Sequence, residues 1–373
     1  MHLADLRTPA ILVDVNRLTA NIQRMQSLAN AGGLRLRPHA KTHKSPVIAK
    51  QQIAAGAIGV CCAKLGEAEV FADAGIEDIR LPYPIHPSNA DRVIALMDRV
   101  RLSIITDLTE VARHWSEAMT KAGRTLDVLV KVDVGFHRCG IDPDRPDAAD
   151  FVAEVGSLPG LRLKGLLSHA GHAYHAGSED ELRAIAAEEL RLLQHVAECA
   201  RQKGAAIEEL SVGATPTVRF SATSRGLTEL RPGNYVYFDR TQVALGAAAL
   251  QDCALTVLAT VVTRHKDRLI FDSGSKTLTN DAARGAGNEG FGAVLTDLEQ
   301  ASTIDTSLRI ERLSEEHATV RMLNGTSPLQ PGDRVRIVPN HSCVVSNLVD
   351  DVVLVDGTRV IDRLPVAARG KIA

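Results

Sequence analysis

Short apolar runs alternate with longer stretches whose apolar residues recur at spacings of three and four over most of the chain. The short runs predict strands at Leu34–Pro38, Ile58–Cys61, Asp78–Leu81, Arg101–Ile105, Leu126–Val132, Leu163–Ser168, Ile207–Val212 and Thr228–Leu230. Helical patterns lie between them at Val47–Ala55, Leu65–Ala74, Asn89–Met97, Leu108–Ala122 and Glu179–Gln202. In the last of these one face is apolar and the rest is charged, as on a surface helix packed over a core. Eight strand–helix units predict an α/β fold of the (β/α)8 TIM-barrel type. A doubly wound open sheet would also alternate strand and helix, but the strand count favours the barrel.

The pattern changes near Gly246. CALTVLATVV, RLIFDSG, SLRIERLSEEHATVRM, DRVRIVP and VVLVDGTRV read as strands, punctuated by Gly-Asp, Asp-Gly and Asn-Gly pairs. They predict a C-terminal all-β domain over residues 246–373, after a barrel over 16–245. Gly285–Gly292 is glycine-rich and predicts a loop.

Composition then narrows the function. The chain has 373 residues and a formal net charge of -2. Such a balance argues against a nucleic-acid partner. No apolar stretch approaches the roughly 18 residues needed to cross a bilayer, so no membrane partner is expected. The six cysteines are scattered rather than dense, which predicts reduced thiols in a cytoplasmic protein. The N-terminus shows no signal-peptide pattern.

In barrels the chemistry gathers at the carboxyl ends of the strands. There the sequence places RPHAKTHK, CCAK, VDVGFHRCG, SHAGHAYH, SVGATPT and RPGNYVYFD. SVGATPT has the makings of an anion cradle: Gly213 permits close backbone approach, Thr215 adds a hydroxyl, and a following helix would present its amides. Gly233 and Asn234 would complete it. An ordinary turn remains the other explanation of each segment. Neither GxGxxG nor GxxxxGK[ST] occurs.

Lys41 directly follows a strand, between His39 and His43. Cationic neighbours and partial desolvation would lower its pKa and make it a nucleophilic amine. A surface lysine in a strand–helix loop is the other reading. His341 and Cys343 form an H-x-C pair after DRVRIVP. Within a strand, that spacing puts both side chains on one face. Imidazole plus thiolate suits zinc; a buried thiol beside a satisfied histidine would be the commoner explanation of the pair by itself.

RPHAKTHK, VDVGFHRCG, SVGATPT, ELRPGNYVYFD, FDSGSKTLTND and PNHSC, in this order, resemble the D-serine dehydratase and D-threonine aldolase group of alanine-racemase-like, fold-type III pyridoxal-5′-phosphate (PLP) enzymes. The resemblance runs from TPAILVD to RLPVAARGK. It implies that Lys41 carries PLP, and that Arg138, His169 and Tyr174 lie about the cofactor ring and substrate. It further implies that Gly213, Thr215, Gly233 and Asn234 hold the phosphate, that Tyr235 also binds the cofactor, and that His341 and Cys343 bind a divalent metal. It adds the N-terminal strand Ala10–Val15, within residues 1–15, to the β-domain. It also implies a homodimer with active sites between the barrel of one subunit and the β-domain of the other.

The implied activity is a lyase reaction on small β-hydroxy-D-amino acids. As a dehydratase, Lys41 removes the α-proton and the metal helps hydroxide leave, giving a 2-oxo acid and ammonia. As an aldolase, a base removes the β-hydroxyl proton and the Cα–Cβ bond breaks, giving glycine and an aldehyde. His43, two residues from Lys41, is the nearest candidate base in sequence. In this group an H-x-C pair resembles the dehydratases, and H-x-D the aldolases. The soft sulfur ligand favours zinc over manganese or magnesium. A racemase would need a second base, typically a tyrosine of the β-domain, yet none of the four tyrosines lies beyond Gly246. A non-catalytic PLP-binding protein would leave the β-domain unexplained. Lys64, His172, His175 and the SGSK segment are open between substrate contact and ordinary loop roles.

Overall fold

The computed structural model describes residues 1–285 and 289–373; the predicted glycine-rich loop overlaps residues 286–288, which lie outside the described residues. β1 (Ala10–Asp14) leads into α1 (Val15–Ala31). Eight parallel strands follow: β2 (Arg35–Leu36), β3 (Val60–Cys61), β4 (Asp78–Pro84), β5 (Arg101–Thr106), β6 (Leu126–Lys131), β7 (Leu161–Leu167), β8 (Glu209–Val212) and β9 (Glu229–Leu230). Between and after them lie α2 (Pro46–Ala54), α3 (Leu65–Asp73), α4 (Ala90–Met97), α5 (Thr109–Ala122), α6 (Ala148–Ser157), α7 (Glu179–Gln202), α8 (Val218–Ser221) and α9 (Arg240–Ala244).

The sheet order is β2-β9-β8-β7-β6-β5-β4-β3, and its two ends meet. Ile58 N donates to Leu36 O (2.9 Å) and Cys61 N donates to Pro38 O (2.8 Å), while His39 bridges Cys61 in parallel register. The barrel predicted from the strand–helix alternation is therefore closed. Each predicted barrel strand is present, and α7 has the bounds read from its periodicity. Ser178 caps α7 by accepting from Glu181 N (3.1 Å), and its first turn holds Glu179, Asp180 and Glu181, where negative charge complements the helix dipole. Three helices, α1, α6 and α9, have no counterpart in the sequence reading. α1 buries Leu18, Ile22, Met25 and Ala29 at helical spacing, but Asn21 and Gln26 share that face and blur the apolar stripe.

The barrel interior is held by a buried charge network rather than by aliphatic layers alone. Arg37 Nε donates to Glu229 Oε2 (2.9 Å), and Arg80 donates to Glu209 Oε2 (2.8 Å), to Glu229 Oε1 and to Ser103 Oγ. Arg37 also pairs with Asp78. Burial by itself would raise the pKa of Glu229, but Arg80, Arg37 and the Ser211 hydroxyl hold it at about 2. Ser211 Oγ donates to Glu229 and accepts from Arg231 Nε (2.7 Å), so the network continues to the carboxyl ends of the strands.

A second sheet follows: β10 (Leu255–Arg264), β11 (Arg268–Phe271), β12 (Ala293–Val294), β13 (Leu308–Leu313), β14 (Ala318–Met322), β15 (Arg334–Val338), β16 (Asp351–Asp356) and β17 (Arg359–Pro365). β1 inserts between β10 and β16, antiparallel to the first and parallel to the second. Short helices interrupt the strands, at α10 (Ser275–Leu278) and α11 (Ser342–Ser346). The SGSK segment therefore enters α10, and Lys276 pairs with Glu315 and Glu316 on the surface. Among the described residues, no helix is long and apolar enough to cross a membrane.

Candidate active site

The carboxyl ends of the barrel strands and the α11 region of the second sheet enclose a cavity of about 250 Å³. Its wall includes Lys41 after β2, Lys131 at the end of β6, Arg138 in the loop beyond, and His169 and Tyr174 after β7. Gly213 and Thr215 follow β8, and Gly233 and Asn234 follow β9. His341 and Cys343 close it from the other domain of the same chain.

Lys41 sits in a one-turn helix, Ala40–Thr42. Its side chain is accessible, yet it lines the cavity and is surrounded by protein. Desolvation lowers its pKa, Cys343 opposes this, and Arg138 adds to it. The flanking histidines were expected to do this work, but they act otherwise. His39 is held neutral by burial and by nearby Lys41 and Arg231. His43 is wholly buried, edge-on to Phe71 at 6.3 Å, and its Nδ1 accepts from Ser45 N at 3.1 Å. It does not line the cavity. The reason is geometric: one turn of tight helix rotates residue 43 away from the direction of residue 41.

At the cradle end, the Thr215 hydroxyl is buried without a hydrogen-bond partner among the described residues. Nor do the amides of Ala214, Asn234 and Tyr235 have partners among them. The Tyr174 hydroxyl lies against Thr215, and burial pushes its pKa up. Gly213 serves differently from the expectation. A Cβ there would stand 2.8 Å from the Arg231 backbone, so the glycine lets adjacent strand ends converge. α8 begins only at Val218 and is a single turn, so the turn before it, and not a long helix, faces the cavity. Tyr235 faces away: its side chain is buried and its hydroxyl accepts from Gln52 Nε2 at 2.9 Å, leaving its amide as its contribution to the turn.

Along the cavity wall, Arg138 lies over the Phe136 ring at 4.9 Å. Phe136 meets His169 edge-on at 6.0 Å. His169 Nδ1 contacts Gly213 O, and burial with nearby Lys131 and Lys41 keeps its imidazole neutral.

The H-x-C pair does not lie within a strand. β15 ends at Val338, His341 is the N-cap of α11 and Cys343 lies in its first turn. Helix entry, not strand alternation, brings them together. His341 Nδ1 is held by Asp281 Oδ2 at 2.6 Å. Burial disfavours the imidazolium, but Asp281 and Cys343 carry its pKa up to about 10. Burial likewise disfavours the Cys343 thiolate, and His341 and Thr42 reverse that, lowering its pKa. Thr42 Oγ1 is 3.1 Å from Cys343 Sγ, which ties the pair to the Lys41 turn. Among the described residues, no group of three or more His, Cys, Asp or Glu side chains converges as a metal cage.

Several lining residues escaped the sequence reading. Lys131 is buried, and desolvation with nearby Arg231 brings its pKa down to about 7. Arg231 is buried against Ser168 O and Ser211. Asp239, Asp281 and Arg284 complete the wall. Lys131 and Arg231 do end or follow strands β6 and β9, a placement that could have flagged them. Lys64 and His172 lie outside the cavity lining, whereas His175 is part of it.

Residues 13–241 match the family described as alanine racemase, N-terminal domain, and residues 254–355 match a serine dehydratase domain. The chain is 33% identical over 373 residues to a D-threonine aldolase of Arthrobacter sp, across 99% of this chain and 94% of that one. It is 34% identical over 354 residues to the D-threo-3-hydroxyaspartate dehydratase of Delftia sp. strain HT23, across 91% and 92%. A D-serine dehydratase of Dictyostelium discoideum is 28% identical over 375 residues, across 93% of each. Among solved structures, a metal-free mutant form of D-threo-3-hydroxyaspartate dehydratase superposes with a TM-score of 0.91 at 31% identity, covering 98% of this chain and 99% of that one. The D-threonine aldolase of Filomicrobium marinum gives 0.87 at 33%, covering 100% and 98%.

Proposed function

Because this chain belongs to the alanine racemase-like family that pairs a barrel with a serine-dehydratase-type β-domain, we propose that it is a PLP- and divalent-metal-dependent lyase, a dehydratase of β-hydroxy-D-amino acids. One observation carries the reading: the side chains of Lys41 and of a His–Cys pair line the same cavity, of about 250 Å³.

The residues fit both groups. Lys41 would hold PLP, with its phosphate on the partnerless amides of Ala214, Asn234 and Tyr235 and the Thr215 hydroxyl. Arg138, His169 and Tyr174 would bound the ring and substrate. PLP supplies an electron sink for negative charge developing at the substrate Cα. The metal would bind His341 and Cys343; a nitrogen and a sulfur donor favour zinc over manganese or magnesium. Asp281 fixes the imidazole through Nδ1, as carboxylates commonly do for ligating histidines. With two protein ligands, remaining positions are open to water or substrate oxygen, where a Lewis acid assists loss of a β-hydroxyl.

Lys41 then moves the proton. Its pKa, lowered by desolvation, suits it to take the α-proton from the substrate Cα. A metal held by His341 and Cys343 would assist departure of the β-hydroxyl, and hydrolysis would yield the 2-oxo acid and ammonia. The dehydratase is preferred over retro-aldol cleavage because the cavity carries an H-x-C pair, which resembles the dehydratases, and His43, the nearest candidate base in sequence for the aldol route, turns away from the cavity. The relatives named for both reactions make the aldolase the second reading. A homodimer, which rests on the resemblance, and a cytoplasmic location, which rests on the scattered cysteines, belong to the same proposal.

Two experiments test it. Protein loaded with PLP should show an absorbance band near the visible edge of the ultraviolet that Lys41→Ala loses; wild-type protein without that band refutes the cofactor. Incubation with D-serine, D-threonine and 3-hydroxyaspartate isomers should release ammonia and a 2-oxo acid. Glycine and an aldehyde would instead establish the aldolase.

A further inference from the structure

The cradle turn and the His–Cys pair come from different domains, yet a single buried carboxylate touches both. Asp239 is 1% exposed. Its Oδ2 accepts from Asn234 Nδ2 (2.6 Å), in the turn after β9, and from Ser342 N (3.0 Å) and Ser342 Oγ (3.3 Å), between His341 and Cys343. Asn234 Nδ2 itself reaches Ser342 Oγ (3.2 Å) and Cys343 Sγ (3.4 Å). Two further bonds clamp the same junction: Thr241 Oγ1 donates to Asn340 O (2.8 Å) and Arg240 N donates to Pro339 O (3.0 Å). Three donors crowd Oδ2, so Asp239 is poorly placed to be a metal ligand itself. Its position is that of a joint between two ligand-holding segments.

We propose that Asp239 is a positioning residue that couples the two ligands of this site, so that PLP on the cradle turn tightens metal binding at His341 and Cys343, and metal tightens PLP. This rests on the cofactor and metal reading above. The physical route is short. An anion on the Asn234 and Tyr235 amides fixes the turn, and the turn orients the Asn234 amide. Asn234 and Asp239 together fix Ser342, and Ser342 sets the separation of the residues on either side. By linkage the two ligands must enhance each other by the same factor.

Asp239→Asn tests this with little steric change. Asn is as good an N-cap as Asp, so α9 should persist. But Oδ1 accepts from Gln242 N (3.0 Å) while Oδ2 accepts from Asn234 and Ser342. Either orientation of the new amide sets an N–H against an N–H. Zinc affinity is measured by competition with a chromophoric chelator, with and without PLP. PLP affinity is measured by absorbance titration, with and without zinc. The wild type should show the same enhancement in both titrations, on the order of 5- to 150-fold. Asp239→Asn should weaken zinc binding by roughly 10- to 100-fold and bring the enhancement close to one. Ser342→Ala, which removes only a hydroxyl, should reduce the enhancement partially, and it serves if Asp239→Asn does not fold. A wild type that binds both ligands independently overturns the coupling while leaving the cofactor and metal reading intact. Enhancement that survives unchanged in the variants overturns the role of Asp239. A wild type that fails to bind PLP or zinc refutes both the reading and the coupling.

Discussion

Replacing Glu229 by Gln should destabilise the barrel by about 3 kcal/mol at neutral pH. Glu229 is completely buried, and it accepts from Arg37 on one oxygen and from Arg80 and Ser211 on the other. Its pKa falls from 4.5 to about 2, and at about 1.4 kcal/mol per unit this is a contribution of roughly 3 kcal/mol. Removing one partner of a buried ion pair costs about 3–5 kcal/mol by independent measure, so the two figures agree. A glutamine cannot relieve the loss, because both carboxylate oxygens face N–H or O–H donors. The sign follows from the depressed pKa: the stabilisation is complete above pH 4.5 and disappears as pH falls toward 2. Trp115 is the only tryptophan in the chain and is fully buried in α5, so its fluorescence reports unfolding of the barrel. Urea unfolding of wild type and variant is followed at pH 7 and down to pH 3. The gap between them should be largest at pH 7 and should narrow with acid. A loss below about 1 kcal/mol at pH 7, or a gap that does not change with pH, would refute the assignment of Glu229 as an ionised hub.

Gly213→Ala would put a Cβ 2.8 Å from the Arg231 backbone; overpacking of this kind costs about 1–3 kcal/mol, and PLP affinity should fall with it, read by absorbance titration. Lys131→Met should stabilise the cofactor-free protein at pH 7, by up to about 4 kcal/mol, since the buried amine has a pKa of about 7 against 10.5. Between those pH values the unfolded chain holds more protons, so wild-type stability should rise there and the variant's should not; urea midpoints across pH 7 to 10 decide it. His341→Ala and thorough chelation should each lower lyase activity at least tenfold, and unchanged turnover after both would remove the metal from the reaction.

The sequence by itself determined what depends on periodicity. The alternation of short apolar runs with amphipathic stretches specified eight barrel strands, and the three-and-four spacing of Glu179–Gln202 specified α7 to the residue. The glycines and ionisable residues that follow each strand marked which end of the barrel carries chemistry, because strand ends are fixed once the strands are. Lys41, Gly213, Thr215, Gly233 and Asn234 were legible in this way, Arg138, His169 and Tyr174 through the family resemblance, and all line one cavity. What the tertiary structure alone decided concerns direction and distance. A single helical turn aims Lys41 into the cavity and buries His43 against Phe71. Tyr235, next to Asn234 in sequence, sends its ring toward Gln52. His341 and Cys343 meet at a helix entry, and only chain packing brings them to Thr42, about three hundred residues earlier in the chain. The same packing delivers Asp281 to His341 and Asp239 to both segments. Side-chain direction in tight turns and contacts between distant segments have no period, so no pattern along the chain records them; they are fixed by the closing of the barrel and the seating of α11 on the turn that carries Lys41.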